Sequence, residues 1–134
     1  MVLVTAQLRL GKYHLDVDVL TMPDEERWVD SVFALRGPGI DLQRDARFWT
    51  PEWASWDRRL QALLTHTAPA RLADLEGNLE LKIELRSADF VVAVDLRMPD
   101  GLDGAARFER TCARSSIEAF HAQVRDLVAA FPAG

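Results

Sequence analysis

Apolar and charged residues alternate without interruption along Leu79-Glu80-Leu81-Lys82-Ile83-Glu84-Leu85-Arg86. Successive side chains of a β-strand point to opposite faces, so this period of two predicts a strand that buries its apolar residues and exposes its charges. The same period returns in the next run, whose inward positions are Phe90, Val92, Val94, Leu96 and Met98. Two such strands joined by a short turn predict an antiparallel sheet with one dry and one wet face.

The rest of the chain predicts further strands and two helices. Strand patterns cover about residues 2–10, 13–19, 28–35 and 40–49, and then about 70–75 and 105–112. A helix is predicted over about residues 51–65, with Thr50 as N-cap, and its apolar stripe is Trp53, Trp56, Leu60, Leu63 and Leu64. A second is predicted over about 116–131, with Ser115 and Glu118 as a capping box. Its stripe is Ile117, Phe120, Val124, Leu127, Val128 and Phe131.

These elements predict a single α+β domain spanning residues 1–134. We expect an antiparallel β-sheet of about six to eight strands, with both helices packed on one face, because the dry face of the sheet is the surface available to cover their apolar stripes. A chain of 134 residues has the usual length of one domain and is 49% hydrophobic, which is enough for one core.

Charge and composition exclude several classes of function. The chain has 16 basic and 21 acidic residues. Nucleic-acid binding relies on clustered Lys and Arg, so this excess of acidic residues predicts no nucleic-acid partner. It is compatible with a basic protein partner. No apolar run approaches the ~20 residues of a membrane span. The first residues lack the basic segment of a signal peptide, and one cysteine, Cys112, fits a reducing compartment. We expect a cytoplasmic protein that binds no membrane.

No pattern of residues identifies a catalytic centre, a metal site or a cofactor site. Cys112 and His121 are a conceivable nucleophile and base, but a small buried thiol and a histidine beside a helix stripe explain them more simply. Asp16 and Asp18 share a strand face that Asp30 could join, which would suit a cation; solvated acids on the wet face of a hairpin explain the same residues. We therefore expect no enzymatic activity, no metal and no cofactor.

Four tryptophans lie close together in the sequence. Tryptophan joins a large buriable surface to an N–H donor and is enriched at binding hot spots. Trp53 and Trp56 fall on the apolar stripe of the first helix, which favours a role in the core. Trp49 precedes that helix and is expected to pack against its first turn. Trp28 follows an acidic loop and is the aromatic residue expected to anchor a partner if any of the four is exposed.

The order of these motifs resembles the bacterial immunity-protein family typified by WapI, over about residues 24–131. The resemblance is carried by Asp24-Glu25-Glu26-Arg27-Trp28-Val29, by Thr50-Pro51-Glu52-Trp53, by Leu72-Ala73-Asp74-Leu75-Glu76-Gly77-Asn78-Leu79-Glu80-Leu81 and by residues 108–120. The chain departs from the family at Asp89, where a Gly-His pair is common, and at Arg114-Ser115-Ser116, which replaces an acidic-Gln-Ser run. The resemblance implies an antidote that plugs the active site of a bacterial toxin.

Two functional hypotheses follow. The first is a non-enzymatic protein-binding domain, an immunity protein that neutralises a toxin. Its expected partner-binding residues are the acids judged available and one aromatic residue: Asp16, Asp18, Asp24, Glu25, Glu26, Trp28, Asp100 and Asp103. The alternative is a small-molecule-binding protein, or an unrecognised enzyme, with a pocket between the helices and the sheet.

Overall fold

The structure, a computed structural model, describes residues 1–97 and 105–132. Its strands are β1 (Val4–Leu10), β2 (Tyr13–Val19), β3 (Trp28–Gly37), β4 (Ile40–Trp49), β5 (Ala70–Ala73), β6 (Leu79–Arg86), β7 (Asp89–Arg97) and β8 (Ala105–Cys112). Helix α1 (Glu52–His66) lies between β4 and β5, and helix α2 (Arg114–Ala130) follows β8. Both helices lie close to their predicted positions.

The strands form two antiparallel meanders of four strands each. The N-terminal sheet has the order β1-β2-β3-β4, and the C-terminal sheet has the order β5-β6-β7-β8. The predicted α+β class, the antiparallel pairing and the two helices are confirmed. The single sheet of six to eight strands with both helices on one face is not what forms. Alternation along a strand predicts which of its faces is buried, but it does not predict which strand pairs with it. Here α1 separates two groups of four strands, and the strands of each group pair only with one another.

One hydrophobic core collects the apolar sides of both sheets and both helices. The predicted inward residues of the opening stretch are buried, and so are the predicted positions on α2; these residues are Leu81, Ile83, Val92, Val94, Phe120 and Leu127. Leu85 was expected inside but is 37% exposed. The cause is the short β5, whose pairing with β6 ends opposite Ile83 and leaves the last residues of β6 without a neighbour on that side. Met98 lies outside the described residues.

Each helix lies against the first strand of the sheet that it does not follow. Trp56 on α1 donates its Nε1 hydrogen to the carbonyl oxygen of Ala73 on β5, at 3.0 Å. The side-chain oxygen of Gln123 on α2 accepts the backbone N–H of Gln7 on β1, at 2.7 Å. An edge strand presents backbone groups that another chain could pair with, and these side chains satisfy some of them. The helices therefore link the two sheets while covering two of their edges.

The predicted helix caps are wrong. Helix α1 begins after Pro51 and α2 begins after Ala113, and neither start has a side-chain capping hydrogen bond. The backbone carbonyl of Thr50, not its hydroxyl, accepts the N–H of Trp53 at 3.1 Å. Helix α2 starts before Ser115, so that residue lies inside the first turn, and Glu118 pairs with the Arg114 side chain at 3.6 Å.

Candidate functional site

The outward face of the N-terminal sheet carries most of the candidate residues. Strand register places Trp28 directly opposite Trp49 and Asp30 directly opposite Arg47. Alternation along β4 puts Asp45 on the same face, next to these pairs. An aromatic pair therefore stands at one end of this face, with carboxylates beside it.

The loop before β3 is held in place by Asp24. One carboxylate oxygen of Asp24 accepts the backbone N–H groups of Glu26 and Trp28, both at 2.9 Å. The other oxygen accepts a hydrogen bond from the Arg47 guanidinium at 2.8 Å. The hydrogen bond from the Trp28 backbone is the largest of the causes that lower the pKa of the Asp24 carboxyl. Asp24 is exposed, as expected, but its carboxylate fixes the loop and is not available to a partner.

The four tryptophans divide into two pairs. Trp53 and Trp56 are fully buried, as the apolar stripe predicts. Trp28 and Trp49 are half-buried on the outward face. The Arg47 guanidinium lies 5.1 Å from the centre of the Trp28 ring. The Trp49 indole N–H donates to the carbonyl oxygen of Glu26 at 3.1 Å, which ties it to the acidic loop and not to the first turn of α1.

Four exposed acids lie in the loop before β3 or on this face of the sheet: Glu25, Glu26, Asp30 and Asp45. Within residues 1–97 and 105–132, none of these carboxylates pairs with a cation. We call Trp28, Trp49 and these four acids the acidic–aromatic surface. Sequence reasoning missed the contribution of Asp45 and Trp49, although the alternation of β4 places both on one face of that strand.

The outward face of the C-terminal sheet is also charged, but most of its described charges are paired. Arg71 contacts Glu80 at 2.6 Å, and Arg107 contacts Asp95 at 3.3 Å. The side-chain hydrogen bond from Arg71 is the main cause of the lowered pKa of Glu80. This face therefore offers a partner few charges that lack a counter-ion.

Asp16 and Asp18 were expected to be solvated and are buried. They are only 5% and 8% exposed, respectively, although they point outward. Both lie on β2, an inner strand, where longer side chains from neighbouring strands fold over the short aspartates. Thr5 donates its hydroxyl hydrogen to Asp18 at 2.7 Å. These two acids are therefore not freely available to a partner. Asp100 and Asp103 lie outside the described residues.

The two residues of the conceivable catalytic pair have other partners. The Cys112 thiol donates to the carbonyl oxygen of Arg9 at 3.2 Å, and burial raises the pKa of Cys112 to about 11. His121 Nε2 lies 2.6 Å from Asp57 Oδ1, between the two helices. A thiol with a raised pKa is a poor nucleophile, because the thiolate is the reactive form. Among the described residues, no group of three or more His, Cys, Asp or Glu side chains is arranged to hold a metal ion.

Large aromatic side chains fill the space between the helices and the sheets. Ring centres lie 4.2 Å apart for Phe48 and Trp53, 5.2 Å for Trp53 and Trp56, and 6.4 Å for Trp56 and Phe120. Among the described residues, one hollow of about 370 Å³ opens on the outward face of the C-terminal sheet beside Ala93, and one of about 710 Å³ is lined by residues of both sheets, among them Asp30, Asp45 and Arg97. In the part of the chain that is described, neither helix is long and apolar enough to cross a membrane.

Comparison with models of known protein families gives no match, and comparison with curated proteins gives none either. The resemblance to the WapI family therefore stays a prediction that rests on the order of motifs along the chain.

Proposed function

We propose that this protein is a non-enzymatic protein-binding domain that contacts its partner through the acidic–aromatic surface. The observation that supports this most directly is the pair of half-exposed tryptophans, Trp28 and Trp49, beside four exposed carboxylates that lack a cationic partner in the described chain. The partner that fits this surface is a basic protein. We further propose that this partner is a bacterial toxin, which the protein neutralises as an immunity protein.

The geometry of the surface suits a binding hot spot. Buried or half-buried aromatic residues dominate the energy of many interfaces, and surrounding charges guide the encounter of the partners. The Asp24 hydrogen bonds and the bond from Trp49 to the Glu26 carbonyl hold the loop and the indoles in one arrangement. Such a surface loses little conformational freedom on binding, which favours affinity.

The toxin hypothesis is supported by two observations of different kinds. The acidic character of the surface suits a basic target, and the order of motifs resembles an immunity-protein family. The alternative, a small-molecule-binding protein or an enzyme with a pocket between helices and sheet, places its ligand where the aromatic side chains of the core lie.

The test begins with recovery of the protein and its partner from the native host, and identification of that partner. The informative variant is Glu25→Lys with Glu26→Lys, since neither side chain makes a hydrogen bond or ion pair with residues 1–97 or 105–132. Asp24 is left unchanged because its replacement would release the loop. The matched control is Asp89→Lys with Asp126→Lys, which makes the same change in net charge at two exposed acids elsewhere.

We expect the first variant to associate with the partner at least ~10-fold more slowly at low salt, because opposite charges steer encounter, and the control to stay within about twofold of the unchanged protein. Raising the salt concentration should reduce the difference in association rate between the two variants. In co-expression with the toxin, the first variant should also protect the host less than the control. Equal association rates for the two variants would show that the acidic–aromatic surface is not the contact. A partner that lacks any toxic activity would contradict the immunity role alone.

A further inference from the structure

A cationic cluster stands at the opposite end of the same outward face. Register aligns Arg9 on β1, His14 on β2 and Arg36 on β3 in one row across the sheet. Neighbouring strands lie about 4.8 Å apart, so the row spans roughly 10 Å. On a chain with net charge −5, three adjacent side chains that carry or can carry positive charge call for an explanation.

The buried carboxylate of Asp16 fixes two of these three side chains. Its Oδ1 accepts from Gln7 Nε2 at 2.9 Å and from His14 Nδ1 at 3.1 Å, and its Oδ2 accepts from Arg36 at 2.9 Å. A buried carboxylate is costly unless it is hydrogen-bonded, so these contacts are held firmly. Nδ1 of His14 lies 3.1 Å from Asp16 Oδ1 and 3.4 Å from Gln7 Nε2, so both of its neighbours within the sheet meet this nitrogen and Nε2 is left to face another group.

The outer atoms of these three side chains make few hydrogen bonds or ion pairs within the described chain. His14 Nε2 has no hydrogen-bond partner there, and the Arg9 guanidinium has no ion pair or hydrogen bond. Arg36 also approaches Asp41, but only at 3.8 Å. Register therefore places His14 between two arginines, and Asp16 holds His14 and Arg36 in position.

We propose that Arg9, His14 and Arg36 form a binding site for an oxyanion, either a carboxylate or a phosphate. Guanidinium groups bind both with paired hydrogen bonds, and a protonated imidazole donates through Nε2. Asp16 and Asp41 oppose this with two negative charges, which Arg9 and Arg36 offset, so that protonated His14 supplies the net attraction. The expected affinity for a small anion is weak, with a Kd on the order of millimolar.

The three histidines allow a test within one sample. His14 is the probe; His66 is exposed at the end of α1, and His121 is held by Asp57, so these two are internal controls. Imidazole NMR resonances would be followed at about pH 6 during titration with sodium phosphate, and separately with sodium acetate, at constant ionic strength. We expect saturable shifts at His14 with at least one of the anions, and none at the controls. The anion that binds more tightly then shows whether the site prefers a phosphate or a carboxylate.

A matched pair of variants completes the test. Arg9→Gln removes a guanidinium that makes no hydrogen bond or ion pair in the described part of the chain, and should weaken anion binding at His14 at least ~5-fold. Arg58→Gln makes the same change at an exposed position on α1 and should have no effect. Shifts of equal size at His14 and His66, no shift with either anion, or unchanged binding in Arg9→Gln would each overturn the proposal. None of these measurements depends on the protein partner proposed above.

Discussion

The contact between His121 and Asp57 should be among the strongest polar contributions to the stability of this fold. It joins α2 to α1, which follow different sheets, through a distance of 2.6 Å between Nε2 and Oδ1. The His121 side chain is 8% exposed and that of Asp57 is 28% exposed. Removing the carboxylate would leave a ring nitrogen of His121 without a partner in a site that water reaches poorly.

The expected size of the effect follows from this geometry. Hydrogen bonds to charged groups contribute roughly 1.5–3 kcal/mol, so Asp57→Ala should lower the free energy of unfolding by about that amount. In a His121→Ala background the same substitution should cost only about 0–1 kcal/mol, because the exposed Arg125 contact of Asp57 is all that remains. Arg125 also approaches Asp57, at 3.4 Å, but its side chain is 58% exposed. Arg125→Ala removes this ion pair together with the 2.9 Å hydrogen bond from Arg125 to the side chain of Gln61, and it is the control, with an expected cost of about 0–1 kcal/mol.

Urea unfolding of the four proteins of this cycle, followed by the fluorescence of the buried tryptophans, measures the coupling directly. The difference between the two costs of Asp57→Ala is the interaction energy. If Asp57→Ala cost the same with and without His121, the contact would contribute nothing and the reasoning from burial and distance would be refuted. A cost of Arg125→Ala equal to that of Asp57→Ala would instead assign the effect to the exposed ion pair.

Three other outcomes follow from packing and ionisation. Leu81→Ala should cost roughly 2–5 kcal/mol in urea unfolding because Leu81 is fully buried, whereas the same change at the partly exposed Leu85 should cost less than about 1 kcal/mol. Gly37→Ala should lower the melting temperature and reduce the free energy of unfolding by about 1–3 kcal/mol, because a Cβ at that position would collide with the ring of Tyr13. An unchanged melting temperature would show that the ring can move aside. Burial raises the pKa of Cys112 from 9.0 to about 11, so at pH 8 the thiol of the native protein should react with a thiol reagent ~100-fold more slowly than that of the unfolded chain. Equal reaction rates would contradict this. The contribution of this thiol to the free energy of unfolding should be constant below pH 9.0 and should be lost as the pH rises towards 11.

The positions of the strands and helices could be predicted well from the sequence, because alternation and helical spacing each depend on the local conformation of the backbone. Alternation located β2 and β6, and the sequence pattern also gave β4 and β8 with the bounds that the structure has, while the helical stripes located most of the buried residues of α1 and α2. The caps were misplaced because a capping signal marks the start of a helix only to within a residue or two. Ser115 is one residue inside a helix that begins at Arg114.

The properties that depend on long-range pairing could not be predicted in this way. Asp16 was assigned correctly to the outward face, but its burial depends on Gln7 and Arg36, which reach it only once β1 and β3 lie on either side of β2. Trp49 was assigned to the first turn of α1 from its position in the sequence, whereas register sets it opposite Trp28. The candidate surface therefore shares the acidic loop and Trp28 with the sequence prediction and gains Trp49, Asp30 and Asp45 from the fold.

The distribution of sheet edges indicates how a partner would bind. Side chains of α1 and α2 satisfy backbone groups on β5 and β1, and no described element pairs with the outer side of β4. That strand carries Asp41, Asp45 and Arg47 along its outward face, and Arg44 points inward, where it donates to the carbonyl oxygen of Arg97 at 3.4 Å. Charges of this kind, the inward one above all, discourage the addition of another strand. We therefore expect the partner to contact side chains on the face of the N-terminal sheet and not its backbone, which is why charge reversal at the acidic loop is the decisive variant.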